Sequence, residues 1–117
     1  MSMIVLRDVE KDGNHYYLEA VFEKEKLTIQ GHDVGPKVEN FWGDSDYEYW
    51  YEFDEWSTEQ LFKYVAEEKG ERSIKAVSED GKRLLEMLKA WMGDAADESK
   101  LRKLCEEKGI KYKFFSY

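Results

Sequence analysis

The chain has 117 residues, 42% of them hydrophobic and 38% charged, with one cysteine and a net charge of −8. This is enough apolar material for a single core and too much for a disordered chain, while the negative charge argues against nucleic acid and anionic membrane as partners, which are held chiefly by Lys and Arg. The lone cysteine, Cys105, closes no intrachain disulfide, no stretch approaches the ~20 apolar residues of a membrane span, and the first residues lack a signal-peptide pattern, so a cytoplasmic protein is expected.

The first third reads as a β-meander. Ile4 to Val9 and Tyr16 to Phe22 are rich in β-branched and aromatic residues, and Asp12-Gly13 between them supplies the left-handed conformations of a tight hairpin. In the second strand Tyr16, Leu18, Ala20 and Phe22 share one face, and His15, Tyr17, Glu19 and Val21 share the other. After a polar turn at Glu23-Lys24-Glu25-Lys26, a third strand from Leu27 to His32 points Leu27 and Ile29 inward. Gly35-Pro36 ends it, and a short helical turn is predicted through Val38, Phe41 and Trp42, closed by Gly43. Alternation returns from Tyr47 to Asp54, with Tyr47, Tyr49, Tyr51 and Phe53 on one face against Glu48, Trp50, Glu52 and Asp54.

The period then lengthens to that of a helix. Ser57 and Gln60 fit a capping box ahead of Leu61, Tyr64 and Val65, with a stop at Gly70. A second helix is predicted from about Ser78 to Met92, burying Leu84, Leu85, Leu88, Trp91 and Met92. The third, around Asp97 to Lys108, buries Leu101, Leu104 and Cys105, which makes the thiol a small core hydrophobe. Ile110, Tyr112 and Phe114 alternate with Lys111 and Lys113 in a last strand, expected beside the first hairpin or at an edge. Strands first and helices later predict one α+β domain over 1–117: a mainly antiparallel sheet of about five strands with about three helices on one face.

Charge is unevenly placed. Residues 1–70 hold 17 Asp/Glu against 7 Lys/Arg, whereas residues 71–117 hold 9 against 11, so one acidic side is expected to meet a basic partner. The acidity concentrates between Phe41 and Trp56, where eight of sixteen residues are aromatic and six acidic, and no Lys or Arg occurs from Val38 to Gln60. If the tyrosines face the core, Trp50 lies among carboxylates on the opposite face. Such a residue is covered by Trp42 or Trp56, by a partner protein, or by a ligand. The candidate partner-binding residues are therefore Trp42, Asp44, Asp46, Glu48, Trp50, Glu52, Asp54 and Trp56.

No catalytic set, metal site or cofactor motif emerges. Asp44, Asp46 and Glu48 only loosely resemble a Mg²⁺ or Ca²⁺ loop, without the register of a helix-loop-helix calcium site. His15 and His32 stand apart, with no Cys or second His at metal-ligand spacing, and no glycine-rich loop cradles a phosphate. An enzyme alternative is a small carboxylate- or metal-dependent hydrolase using Asp44, Asp46, Glu48 and one histidine.

The stretch GHDVGPKVENFWGDSDYEYWYEFDEWSTEQLF, Gly31 to Phe62, resembles a group of small uncharacterised bacterial proteins with FWGDSDYEYWY-type cores; the resemblance covers about a quarter of the chain and implies no activity. In size, acidity and architecture the chain is also similar to immunity proteins of bacterial polymorphic-toxin and contact-dependent inhibition systems. That resemblance implies a protein that binds and blocks a cognate toxin, often a basic nuclease, and it carries over no individual residue.

Overall fold

Asp12 and Gly13 both adopt positive φ, 55° and 79°, which is the backbone of a two-residue hairpin turn matched to right-handed strand twist. The turn joins β1 (Ser2–Lys11) to β2 (Asn14–Glu23). Asn14 is buried beneath it and donates from Nδ2 to the carbonyls of Lys11 and Asp12 at 3.3 and 3.2 Å. The second turn, Lys24-Glu25, is also left-handed and leads into β3 (Lys26–Val34). In this computed structural model the described residues are 1–35, 46–68, 70, 81–94, 96 and 98–116. The helical turn predicted through Val38, Phe41 and Trp42 lies outside them.

The remaining elements are β4 (Asp46–Phe53), α1 (Glu55–Glu68), α2 (Gly81–Met92), α3 (Glu98–Lys108) and β5 (Lys113–Ser116). The five strands form one antiparallel sheet in the order β1-β2-β3-β4-β5. The protein is thus α+β, with its helices packed against an antiparallel sheet. The last strand takes the edge beside β4 and not the place beside the first hairpin. Its aromatic residues explain this: Phe114 and Tyr112 pack on the Tyr51 ring at centroid distances of 5.0 and 5.5 Å, and Tyr112 also meets Phe53 at 5.4 Å.

One face of the sheet is the core. Leu18, Ala20, Phe22, Leu27, Ile29, Tyr49, Tyr51 and Phe53 are buried there against Leu61, Phe62 and Val65 of α1, Leu84, Leu85, Leu88, Trp91 and Met92 of α2, and Leu101, Leu104 and Cys105 of α3. The residues predicted inward on the three helices therefore belong to one core, with Tyr64 only partly buried at its edge. The first helix starts earlier than its capping box suggested. Asp54 is its N-cap, accepting the Ser57 N–H at 2.7 Å on Oδ1, so Ser57 is a buried first-turn residue and not the cap. Thr58 ties this helix down by accepting the Leu27 N–H at 3.0 Å and donating to the Phe53 carbonyl at 3.3 Å. At the end of α3, Gly109 has φ of 67°, and the following Ile110 N–H closes on the Cys105 carbonyl at 2.9 Å.

Candidate protein interface on the outer face of the sheet

The strand register fixes what the other face presents. Val5, Glu19, Gln30, Trp50 and Phe115 lie in one cross-strand row. Asp8, Tyr17, His32 and Glu48 form the next row on one side, and Met3, Val21, Thr28, Glu52 and Lys113 the row on the other. No described helix covers these rows: Tyr17, Glu19, Gln30, His32, Glu48 and Trp50 are half-buried, Glu52 is exposed, and Phe115 keeps 46% of its surface.

Hydrogen bonds knit the rows together. The Trp50 indole N–H donates to Gln30 Oε1 at 3.1 Å, the Gln30 amide donates in turn to Glu19 Oε1, and the Tyr17 hydroxyl donates to Glu19 Oε2 at 3.2 Å. Burial, with help from the Glu19 and Asp8 carboxylates, pushes the Tyr17 phenol up, so it remains a donor. His32 Nε2 stands 3.9 Å from Glu48 Oε1, and His15 Nε2 lies 2.5 Å from Asp8 Oδ1. Tyr17, Glu19, Gln30, Gly31, His32, Glu48 and Trp50 together line a shallow depression of about 250 Å³.

Of the eight residues singled out from sequence, Glu48, Trp50 and Glu52 come together on this face. Asp46 is described only through its backbone, which opens β4, and Trp42 and Asp44 lie outside the described residues. Asp54 is spent on the α1 cap; the Ser57 N–H holds its carboxyl below the usual carboxylate range. Trp56, in the first turn of α1, is 58% exposed. The sequence reading missed Tyr17, Glu19, Gln30, His32 and Phe115, which join Trp50 only through strand pairing.

A second polar cluster, also unforeseen, lies on the helix side. A β-bulge between Val5 and Arg7 turns both Leu6 and Arg7 inward. Arg7 donates to Glu98 Oε2 at 3.0 Å and to the Tyr49 hydroxyl at 3.1 Å. Tyr49 and Tyr51 each donate to Glu98 at 2.9 Å, and Arg102 reaches the Tyr51 hydroxyl at 2.9 Å. Burial first, then the Glu98 charge, pushes both phenols up, Tyr51 to about 12. Asp33 borders the cluster; burial raises its carboxyl against the opposing pull of Arg7, and its Oδ1 has no hydrogen-bond partner. The cluster fastens the start of α3 to β1 and β4.

A larger groove of about 450 Å³ runs past Lys26, Glu52, Phe53, Asp54, Lys111, Tyr112 and Lys113, with both signs of charge on its rim. Among the described residues no group of three or more His, Cys, Asp or Glu side chains is placed to hold a metal ion, and no helix is long and apolar enough to cross a membrane. The chain matches no protein-family model, and no curated protein or solved structure is significantly similar to it.

Proposed function

We propose that this protein is a cytoplasmic binding module that neutralises a basic protein through the outer face of its sheet, in the manner of an immunity-type inhibitor. The observation that carries the reading is Trp50, held in a hydrogen-bonded lattice between Glu48 and Glu52 on a sheet face that no described helix covers. Large rigid aromatics provide most of the binding energy at protein interfaces, and carboxylates around them complement Lys and Arg and speed encounter. The −8 net charge adds long-range attraction for a cationic domain. No chemistry on the partner is required: an inhibitor acts by covering a site.

The test uses the protein encoded directly upstream, where a toxin gene paired with an immunity gene lies. That protein is expected to bind this chain, and Trp50→Ala should weaken the complex by about 2 kcal/mol or more. Glu52→Lys should chiefly slow association, with an effect that shrinks as salt rises. Absence of binding, or binding indifferent to both substitutions, would overturn the proposal.

A further inference from the structure

The depression between Trp50 and Tyr17 has the size and chemistry of a receptor for one side chain, and we infer that it receives an arginine guanidinium of the partner. The inference rests on the interface reading and adds the identity of the group at its centre. At about 250 Å³ the depression falls below the roughly 300–1,000 Å³ typical of small-molecule pockets, so it suits a single side chain better than a metabolite.

Its corners are chemically paired. Register puts Tyr17 and Glu19 on β2, Gln30 and His32 on β3, and Glu48 and Trp50 on β4, so that aromatics occupy one diagonal and carboxylates the other. The outer strands are two spacings apart, about 10 Å, which leaves room above Gln30 and His32 for a flat group but not for a second layer of backbone. Glu19 is the telling residue. Its half-buried carboxylate accepts from Tyr17 and Gln30, both neutral donors, and no cation stands within 4 Å of it among the described residues. A carboxylate offers about four lone-pair sites, so two remain for an incoming donor pair.

A planar guanidinium fits this arrangement better than an ammonium. It can present a two-pronged N–H fork to Glu19 or Glu48 while its plane lies against an indole or phenol ring, and its weaker hydration lowers the cost of entering a half-buried site. A lysine would satisfy the charge and forgo the fork.

The full-length protein can be tested without its partner. The probe is N-acetyl-argininamide, followed through the indole N–H resonance of Trp50, assigned by its loss in Trp50→Phe. A saturable shift with a Kd of about 1–10 mM is expected for so small a cation. The neutral isostere N-acetyl-citrullinamide should bind about tenfold or more weakly, and N-acetyl-lysinamide a few-fold more weakly, because charge and fork are removed separately. Glu48→Gln, on the exposed rim, and Glu19→Gln should each weaken the arginine response several-fold while the remaining amide spectrum stays dispersed as in the native fold. Citrullinamide binding as well as argininamide, lysinamide binding better, or no saturable shift at Trp50 would overturn the assignment. If the arginine probe fails while a basic partner still depends on Trp50, the guanidinium site falls and the interface stands. If the probe binds and the upstream protein does not, the site stands and the inhibitor reading falls.

Discussion

Adding one methyl group at Gly31 tests how the two faces of the sheet are coupled. Gly31 sits in the middle of β3, opposite Leu18 on one side and Tyr49 on the other, and its missing side chain makes room for the Tyr49 ring on the core side. A Cβ there would overlap Tyr49 Cζ and lie 2.5 Å from its hydroxyl oxygen and 2.6 Å from Cε1. The ring cannot simply swing away, because its hydroxyl is bonded to Glu98 at 2.9 Å and to Arg7 at 3.1 Å. Overpacking of this kind costs about 1–3 kcal/mol, and losing hydrogen bonds to charged groups about 1.5–3 more. The better strand propensity of alanine returns only about 0.5–1 kcal/mol. Gly31→Ala should therefore destabilise the protein by about 2–5 kcal/mol, seen in urea melts as a lower midpoint at constant slope. Tyr49→Leu removes the three atoms that stand nearest the added methyl, so Gly31→Ala in that background should cost about 0.5 kcal/mol or less. A loss below about 1 kcal/mol in the native background, or equal losses in both, would refute the packing argument.

Trp50→Ala should lower stability by only about 1–2 kcal/mol, since it removes a half-buried ring and its hydrogen bond to Gln30; a loss of about 3–5 kcal/mol in the same melt would mean a core residue. Two aspartates should give opposite pH signatures. Burial raises the Asp33 carboxyl, so its contribution is present below the unfolded value and is lost as pH rises through the folded one. Asp33→Asn should accordingly gain stability relative to the native chain as pH rises above the ordinary aspartate range. The Ser57 N–H lowers Asp54, whose contribution appears above the unfolded value and is lost as pH falls through the folded one. Asp54→Asn should lose its deficit as pH falls below the ordinary aspartate range, and thermal melts taken on both sides of that range check the two signs. Cys105 is buried and its thiol is pushed up to about 11 by burial, so alkylation at neutral pH should follow unfolding and not exposure of the native protein.

The alternation of apolar residues was enough to predict the strands and the core face, because a period of two leaves no choice once Leu18, Ala20 and Phe22 must be buried together. The same logic places Trp50 on the outer face, where the strand register has it. Three features escaped it for physical reasons. Asp54 continues the polar set of β4, so strand alternation masks its helix-capping role. Arg7 belongs outside by simple alternation, and only the bulge, which leaves no composition signal, turns it inward. The companions of Trp50 lie as far away in the chain as Tyr17, 33 positions before it, and Phe115, 65 positions after it, and nothing local in any of these strands states the register that joins them.

The polar cluster beneath the sheet bears on the interface proposed above it. Tyr49 and Tyr51 flank Trp50 in the chain, and both are anchored at their hydroxyls by Glu98, which α3 supplies and Arg7 braces from β1. Strand β4 is thereby held from below at the two positions next to its outer-face indole. On the outer side the indole is tied to Gln30, and Gln30 to Glu19. A side chain so restrained has little rotamer freedom left to lose on binding, where ordering a free one costs about 0.5–1.5 kcal/mol. Charged groups buried among hydrogen-bond partners are also a poor source of net stability, since desolvation offsets most of their attraction. Their value here lies in position: they fix the height and register of the strand that carries Trp50, Glu48 and Glu52. The proposed interface on this face would consequently be formed in advance of any partner, which favours a tight, rigid-body complex over one that must fold as it binds.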